Sequence, residues 1–201
     1  MKSQLEHTFQ TKSHNLIDLF KGVKKFSSFL SKLEEQSDLD PVRYDKNKYL
    51  GDGFEFFVEL FLMLHPCDNR VGVYDYKPNQ ENDNGVDGIG LNIRGEKSVV
   101  QIKYRSDNMS VLTANNDHLS NLITDGMLSH QVVNDANDLT NYRHFIFTTA
   151  DGLHFYTDNE MFKNKVKCFG YNDFRMLLDN NIIFWNTARE IIENIQKNQN
   201  I

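Results

Sequence analysis

The stretch NGVDGIGLNIRGEKSVVQIKYR, residues 84–105, limits the fold more than any other part of the chain. Two apolar runs, 88–93 and 98–104, flank Arg-Gly-Glu-Lys, and short runs around a glycine-bearing turn predict a β-hairpin. Side chains two apart on a strand share a face, so Gln101 and Lys103 project together while Ile102 turns toward the core. The length of the turn then decides where Asp87 lies, at the mouth of the first strand. A two-residue turn at Gly95–Glu96 would gather Val100, Ile102 and Tyr104 with Ile89, Leu91 and Ile93, leaving Asp87 on that apolar side. Asp87 would then have to escape by a bulge or bend, for which Gly85 and Gly88 supply freedom. An odd-length turn puts Asp87 directly on the side of Gln101 and Lys103.

Elsewhere the pattern is mostly helical. Apolar residues at Leu16, Leu19, Phe20, Val23, Phe26, Phe29, Leu30 and Leu33 keep a helical period, which predicts one amphipathic helix over 13–36 with Lys21, Lys24, Lys25 and Lys32 among its polar positions. A connection with Pro41 leads to a second helix expected over 52–64, its buried face made by Phe54, Phe57, Val58, Phe61 and Leu62. Strands are expected at 70–76, 143–149 and 166–169, and helices at 117–127 and in two pieces over 172–196 that meet near Asn180 and Asn181. The fold class expected is α/β, a mixed sheet flanked by helices, with residues 1–45 as an N-terminal helical extension of a domain spanning 46–201.

With 201 residues, 39% hydrophobic and 12% aromatic, the chain can bury one sizeable core. No apolar run reaches the roughly 20 residues of a membrane span, and MKSQLEHTFQ has no apolar signal core, so a soluble cytoplasmic protein is expected. Cys67 and Cys168 lie far apart without histidine at ligand spacing, which argues against zinc and for two buried thiols. The seven histidines form no H-E-x-x-H arrangement, and there is no phosphate loop, which excludes ATP-driven chemistry in this chain. A net charge of −6 excludes a surface coated in basic residues, but an acidic pocket that holds divalent cations reverses its own field.

Asp87, Gln101 and Lys103 together suit one chemistry. Metal-assisted phosphodiester hydrolysis needs an oxygen-rich pocket for Mg²⁺, a water activated by that ion, and positive charge beside the transition state. Asp87 would be the carboxylate ligand, Gln101 would offer its amide oxygen, and the Ile102 carbonyl could complete the shell. Lys103 would orient the water and stabilise charge on the phosphate. A glutamate from the neighbouring helix could add a carboxylate.

The order of a helical glutamate in GDGFEFFVELF, Asp87 in GVDG and Gln-x-Lys in VVQIKYR resembles the PD-(D/E)xK nuclease superfamily, in particular its Mrr-like, restriction-endonuclease-like branch. Val86 stands in place of the proline and Gln101 in place of the second acid, departures that Mrr-like members commonly share. The resemblance covers roughly residues 50–105, and FTTADGLHFYT and DNNIIFW also look like later parts of phage or helicase-linked members. It implies a restriction-endonuclease-like core and a Mg²⁺-dependent DNA endonuclease of restriction, homing or resolvase type, with Mn²⁺ expected to substitute. By resemblance Glu55 takes the helical acid, with Glu59 as its rival; Arg105, Lys24 and Lys25 are weaker candidates for DNA contact. Cutting both strands needs two active centres or two visits, so a homodimer with the first helix at its interface is one arrangement that satisfies the geometry.

Plainer readings stand beside these. Asp52 to Glu55 fits a helix capping box, Asp87 could be a turn residue, and the lysines of the first helix, like Lys163, Lys165 and Lys167, could be solvated surface. Other functions compatible with the same residues are a DNA-binding module that keeps the nuclease fold without cutting, and a nuclease subunit dependent on a helicase or methyltransferase partner.

Overall fold

A computed structural model describes residues 15–39, 45–65, 69–79, 85–113, 119–133, 138, 140–154 and 166–199. In chain order the elements are α1 (Leu16–Phe20), α2 (Phe26–Asp38), α3 (Lys46–Leu64), β1 (Tyr74–Pro78), β2 (Gly88–Leu91), β3 (Lys97–Lys103), β4 (Leu112–Thr113), α4 (Leu119–Leu128), β5 (His144–Thr148), β6 (Leu153–His154), β7 (Val166–Phe169), α5 (Tyr171–Leu178) and α6 (Ile182–Gln199). They fall into two compact units, residues 1–60 with 172–201, and residues 61–171.

In the first unit the helix expected over 13–36 is two helices. Gly22 adopts φ +70°, a left-handed conformation that ends α1 and that glycine takes at little cost. Carbonyls freed at this break are taken by basic side chains: Lys32 Nζ donates to the Asp18 carbonyl at 3.1 Å and to the Lys21 carbonyl, and Arg189 Nη1 donates to the Val23 carbonyl at 3.1 Å. Val23 and Phe26 stay buried across the break, so the apolar period runs on where the helix does not. Helix α3 starts at Lys46, earlier than expected, because Asp45 Oδ1 accepts the Asn47 and Lys48 N–H groups at 2.9 and 3.3 Å. Asp52 therefore lies inside the helix, and the capping-box reading of Asp52 and Glu55 is corrected.

Aromatic rings fill this unit. Phe57 packs against Phe29 at 4.4 Å between centroids, Phe26 at 5.2 Å, Phe174 at 5.7 Å, Phe54 and Trp185 at 6.2 Å and Phe184 at 6.3 Å. The buried Trp185 indole N–H is satisfied by the Leu178 carbonyl at 2.8 Å. The tail helices meet around Asn180, whose φ is +62°, as expected from its sequence.

The second unit is built on a mixed sheet of order β1-β2-β3-β5-β7, antiparallel through β1, β2 and β3 and parallel through β3, β5 and β7. Val99, Ile146, Val166 and Val86 pack with Leu119 and Leu122 of α4 on one face. On the other, Phe147 and Phe61 lie against Phe169 at 5.6 and 5.5 Å between centroids. Strands β4 and β6 make a small parallel pair. The strand expected at 70–76 begins later, at Tyr74, and Asp75 distorts it with a φ of +48°. The fold is thus mixed α/β around a central sheet. Among the described residues no helix is long and apolar enough to cross a membrane.

Candidate active site

The hairpin of β2 and β3 has an odd-length turn. Gly88 pairs with Val100, Ile89 with Val99, Gly90 with Ser98 and Leu91 with Lys97, and the Asn92 N–H donates to the Glu96 carbonyl at 2.9 Å to close the ladder. Ile93, Arg94 and Gly95 form the loop, with Gly95 at φ +74°, the glycine position that three-residue hairpin loops require. Past Gly88 the chain bends at Asp87, whose N–H bonds the carbonyl of Val100, the partner of Gly88, so Asp87 leaves the regular ladder beside Val100 and Ile102. Of the two turns the odd-length one is present, and Asp87 still stands at a bend between Gly85 and Gly88. Neither adopts a positive φ; a Cβ at Gly88 would run into the Tyr76 ring, and one at Gly85 would press on the Asn121 backbone.

Asp87 is held on every backbone atom that can bond. Its N–H donates to the Val100 carbonyl at 2.9 Å, and its carbonyl accepts from the Asn79 N–H at 2.9 Å and the Tyr76 hydroxyl at 3.2 Å. The neighbouring Val86 carbonyl accepts from Asn79 Nδ2 at 3.3 Å, so it leaves the ladder. In its place the Asp87 carboxylate accepts the Ile102 N–H through Oδ2 at 2.5 Å. Because the N–H and C=O of one strand residue point to the same side, the Ile102 carbonyl faces this same edge of β3.

Gln101 is 2% exposed, and its Oε1 has no hydrogen-bond partner among the described residues. A buried amide oxygen left without a donor costs free energy, and such orphans mark strain, water or an ion. Lys103, half-buried, shares the face of Gln101 by strand alternation. The strand end that carries both is latched by two buried threonines of β5 and its exit. The Thr148 hydroxyl donates to the Lys103 carbonyl at 2.8 Å; the Thr149 hydroxyl donates to the Arg105 carbonyl at 2.7 Å and accepts the Arg105 N–H at 2.6 Å. Tyr76, Asn79, Thr148 and Thr149 are not among the candidates from the sequence, although the paired threonines that end the apolar run HFIF are a signal of this latch.

Of the other expected residues, some belong to the first unit and others are engaged in hydrogen bonds. Glu55, half-buried, and Glu59, 7% exposed, belong to the first unit. Lys24 and Lys25 are exposed, also in the first unit, and Arg105 Nη1 donates to the Tyr104 carbonyl at 2.8 Å. Lys167 donates to the Asn69 carbonyl at 3.3 Å; Lys163 and Lys165 lie outside the described residues. Cys168 is half-buried rather than fully buried, and Cys67 falls outside the described residues.

The base of the hairpin carries the second polar cluster of this unit. Glu96 accepts from Asn141 Nδ2 at 2.6 Å and from Asn92 Nδ2 at 3.0 Å, and these bonds, with the charges of Arg143 and Arg94, hold its carboxyl below the usual carboxylate range. Asp138 is lowered by the Thr140 hydroxyl and N–H and by Arg94, with which it forms an ion pair. A depressed folded pKa contributes stability above the unfolded value and loses it as pH falls through the folded one. The Tm deficit of Glu96→Gln is therefore expected to be largest at neutral pH and to narrow below about pH 4, the unperturbed carboxylate range. A deficit that is constant from pH 7 to pH 3 would contradict this assignment.

Among the described residues no group of three or more His, Cys, Asp or Glu side chains gathers to hold a metal. What Asp87, Gln101 and Ile102 offer instead is a carboxylate, an amide oxygen and a backbone carbonyl, all hard oxygen donors of the kind Mg²⁺ accepts, and the unpartnered Gln101 Oε1 fits that role. Comparison with known protein families finds no matching family, and no curated protein matches the chain.

Proposed function

We propose that this chain is a divalent-metal-dependent DNA endonuclease with a restriction-endonuclease-like core, its active centre at Asp87, Gln101, Ile102 and Lys103. The observation that carries the reading is a carboxylate bonded to the Ile102 N–H, next in the chain to a buried amide oxygen that lacks a donor among the described residues, on a strand whose next side chain on that face is a lysine. Asp87, Gln101 Oε1 and the Ile102 carbonyl would hold a Mg²⁺ or Mn²⁺ ion. When bound, such an ion supplies an acidified water as nucleophile and neutralises charge on the phosphate.

The residues of the chain do the rest. Lys103 holds its ammonium beside the phosphate oxygens, where a fixed cation is worth most in a water-poor pocket. Tyr76 and Asn79 keep Asp87 in place through its backbone carbonyl, and Thr148 keeps Lys103 in place through its own. Attack of water on phosphorus then breaks one ester P–O bond and leaves a phosphate monoester and a free hydroxyl.

Cleavage of supercoiled plasmid in Mg²⁺ or Mn²⁺ tests the proposal. Wild type is expected to nick or linearise the plasmid, EDTA to stop it, and Asp87→Asn and Lys103→Ala each to slow it by roughly 10²–10³-fold or more. Asp87→Asn keeps an oxygen acceptor for the Ile102 N–H, so its loss should not come from unfolding. Metal-dependent cutting that survives Asp87→Asn would remove Asp87 from the centre.

A further inference from the structure

We infer that Asn92 is the positioning residue that brings Asp87 to Val100 and Ile102, on either side of Gln101, by holding the hairpin in one of two registers that its own sequence permits. For the role of Asp87 this rests on the proposed function; the register itself does not.

The apolar pattern of the hairpin favours the other register. With a two-residue turn at Gly95–Glu96, Leu91 would face Val100 and Ile89 would face Ile102, and Ile89, Leu91 and Ile93 would share one face with Val100 and Ile102. The observed register gives this up. Ile89 pairs with Val99 instead, Leu91 pairs with Lys97, and Ile93 is left 59% exposed in the loop.

The side chain of Asn92 opposes that pull. It is 3% exposed and sits at the base of the loop. Its Oδ1 accepts the N–H groups of Arg94 at 2.9 Å and Glu96 at 3.0 Å, the bonds that shape a three-residue loop. Its Nδ2 reaches the Glu96 carboxylate at 3.0 Å, Asn141 Oδ1 at 2.8 Å and the Tyr142 carbonyl at 3.2 Å, tying the loop to the segment that enters β5. Asn141 Nδ2 closes the ring on the same Glu96 oxygen at 2.6 Å.

Only an amide supplies both halves of this pattern, two acceptor sites and two donors on one short side chain. Aspartate would lose the donors and repel Glu96. In the alternative register the buried amides of Asn92 and Asn141 would lose one another, a cost the extra apolar burial would have to overcome. Asp87 lies five residues from Asn92, about 17 Å along a strand, so the effect is carried by the register of the backbone.

The test reads register and metal binding separately. Asn92→Ala is combined with cysteines at Leu91 and Lys97, which face each other only in the observed register, or at Leu91 and Val100, which face each other only in the alternative. Mass spectrometry identifies the bridge formed on oxidation. Without the Asn92 change, the 91–97 bridge is expected to form and the 91–100 bridge is not. With it, the 91–100 bridge is expected to appear, and Mn²⁺ affinity of the uncrosslinked chain to fall roughly 10–100-fold, as when a supporting partner of a metal ligand is lost. Closing the 91–97 bridge in the Asn92→Ala chain should restore that affinity, and reducing it should abolish the recovery, a reversal that loss of folding would not give.

Failure of the 91–100 bridge to form in Asn92→Ala, or unchanged Mn²⁺ binding in that variant, overturns the inference. So does a 91–97 bridge that closes without restoring affinity. Should Asn92→Ala not fold, the chain crosslinked at 91–97 is prepared first and the comparison made before and after reduction. If wild type itself binds no Mn²⁺, the nuclease reading fails, and the cysteine pairs alone still decide the register.

Discussion

Replacing Gln101 with methionine is expected to stabilise the protein and to abolish metal-dependent cleavage. The two effects have one origin. Gln101 is 2% exposed with an unpartnered Oε1, and leaving such an acceptor buried costs on the order of 1–3 kcal/mol. Methionine has nearly the same length and adapts to the same space without a group to desolvate, so most of that cost is recovered. The oxygen that would meet the metal is gone. Chemical denaturation and the plasmid assay together separate this from a plain core role. A variant that is less stable and still cuts would mean that the amide serves packing and not chemistry.

Truncating Phe57 should have the largest effect on stability. Its ring meets those of Phe26, Phe29, Phe54, Phe174, Phe184 and Trp185, which come from α2, α3, α5 and α6, so a single cavity would loosen four helices of the first unit at once. Phe57→Ala is expected to cost about 3–5 kcal/mol, the usual range for deleting a buried ring. In a chain of this length that corresponds to a fall in Tm of roughly 6–20 °C. By contrast Lys24→Ala and Lys25→Ala, on exposed positions, should leave Tm nearly unchanged, within about 0.5 kcal/mol. A small change in Phe57→Ala, measured by thermal melting, would show that the cluster relaxes around the gap.

The sequence made much of the sheet legible, because the strands that matter are short apolar runs bounded by turn residues. The pairing of 88–91 with 97–103, the buried run HFIFT, the strand at 166–169 and the two tail helices meeting at Asn180 all follow from that pattern. Helix boundaries were less readable. Apolar period reports burial, and Val23 and Phe26 remain buried on either side of a left-handed Gly22, so one period spanned two helices. The helix expected from Asp52 begins at Lys46 and runs through Gly51 and Gly53, and the buried Tyr49 and Leu50 outweigh a glycine cost of about 1 kcal/mol each.

The candidate site was legible in residue type but not in geometry. Asp87, Gln101 and Lys103 stand out as polar residues in or beside apolar strands, but which residues of β3 Asp87 meets depends on one residue more or less in the turn. The sequence leaves both turns open, and the apolar pattern taken alone suits the one that is not formed. Asn92, Glu96 and Asn141 settle it through side-chain bonds between segments far apart in the chain, Asn92 and Asn141 being separated by 49 residues, and no local pattern reveals such a bond. Glu55 and Glu59 show the opposite case. The helix that carries them was expected, but the cap that was to explain Glu55 lies at Asp45.

In the proposed centre Asp87 and Gln101 together hold a divalent ion. Titration of Mn²⁺ into the protein, followed by the loss of the free-ion electron-spin signal, measures this without requiring the right DNA. Wild type should take up Mn²⁺ at this centre, and Gln101→Met, folded and more stable, should lose that uptake. Equal uptake by wild type and Gln101→Met would contradict the claim.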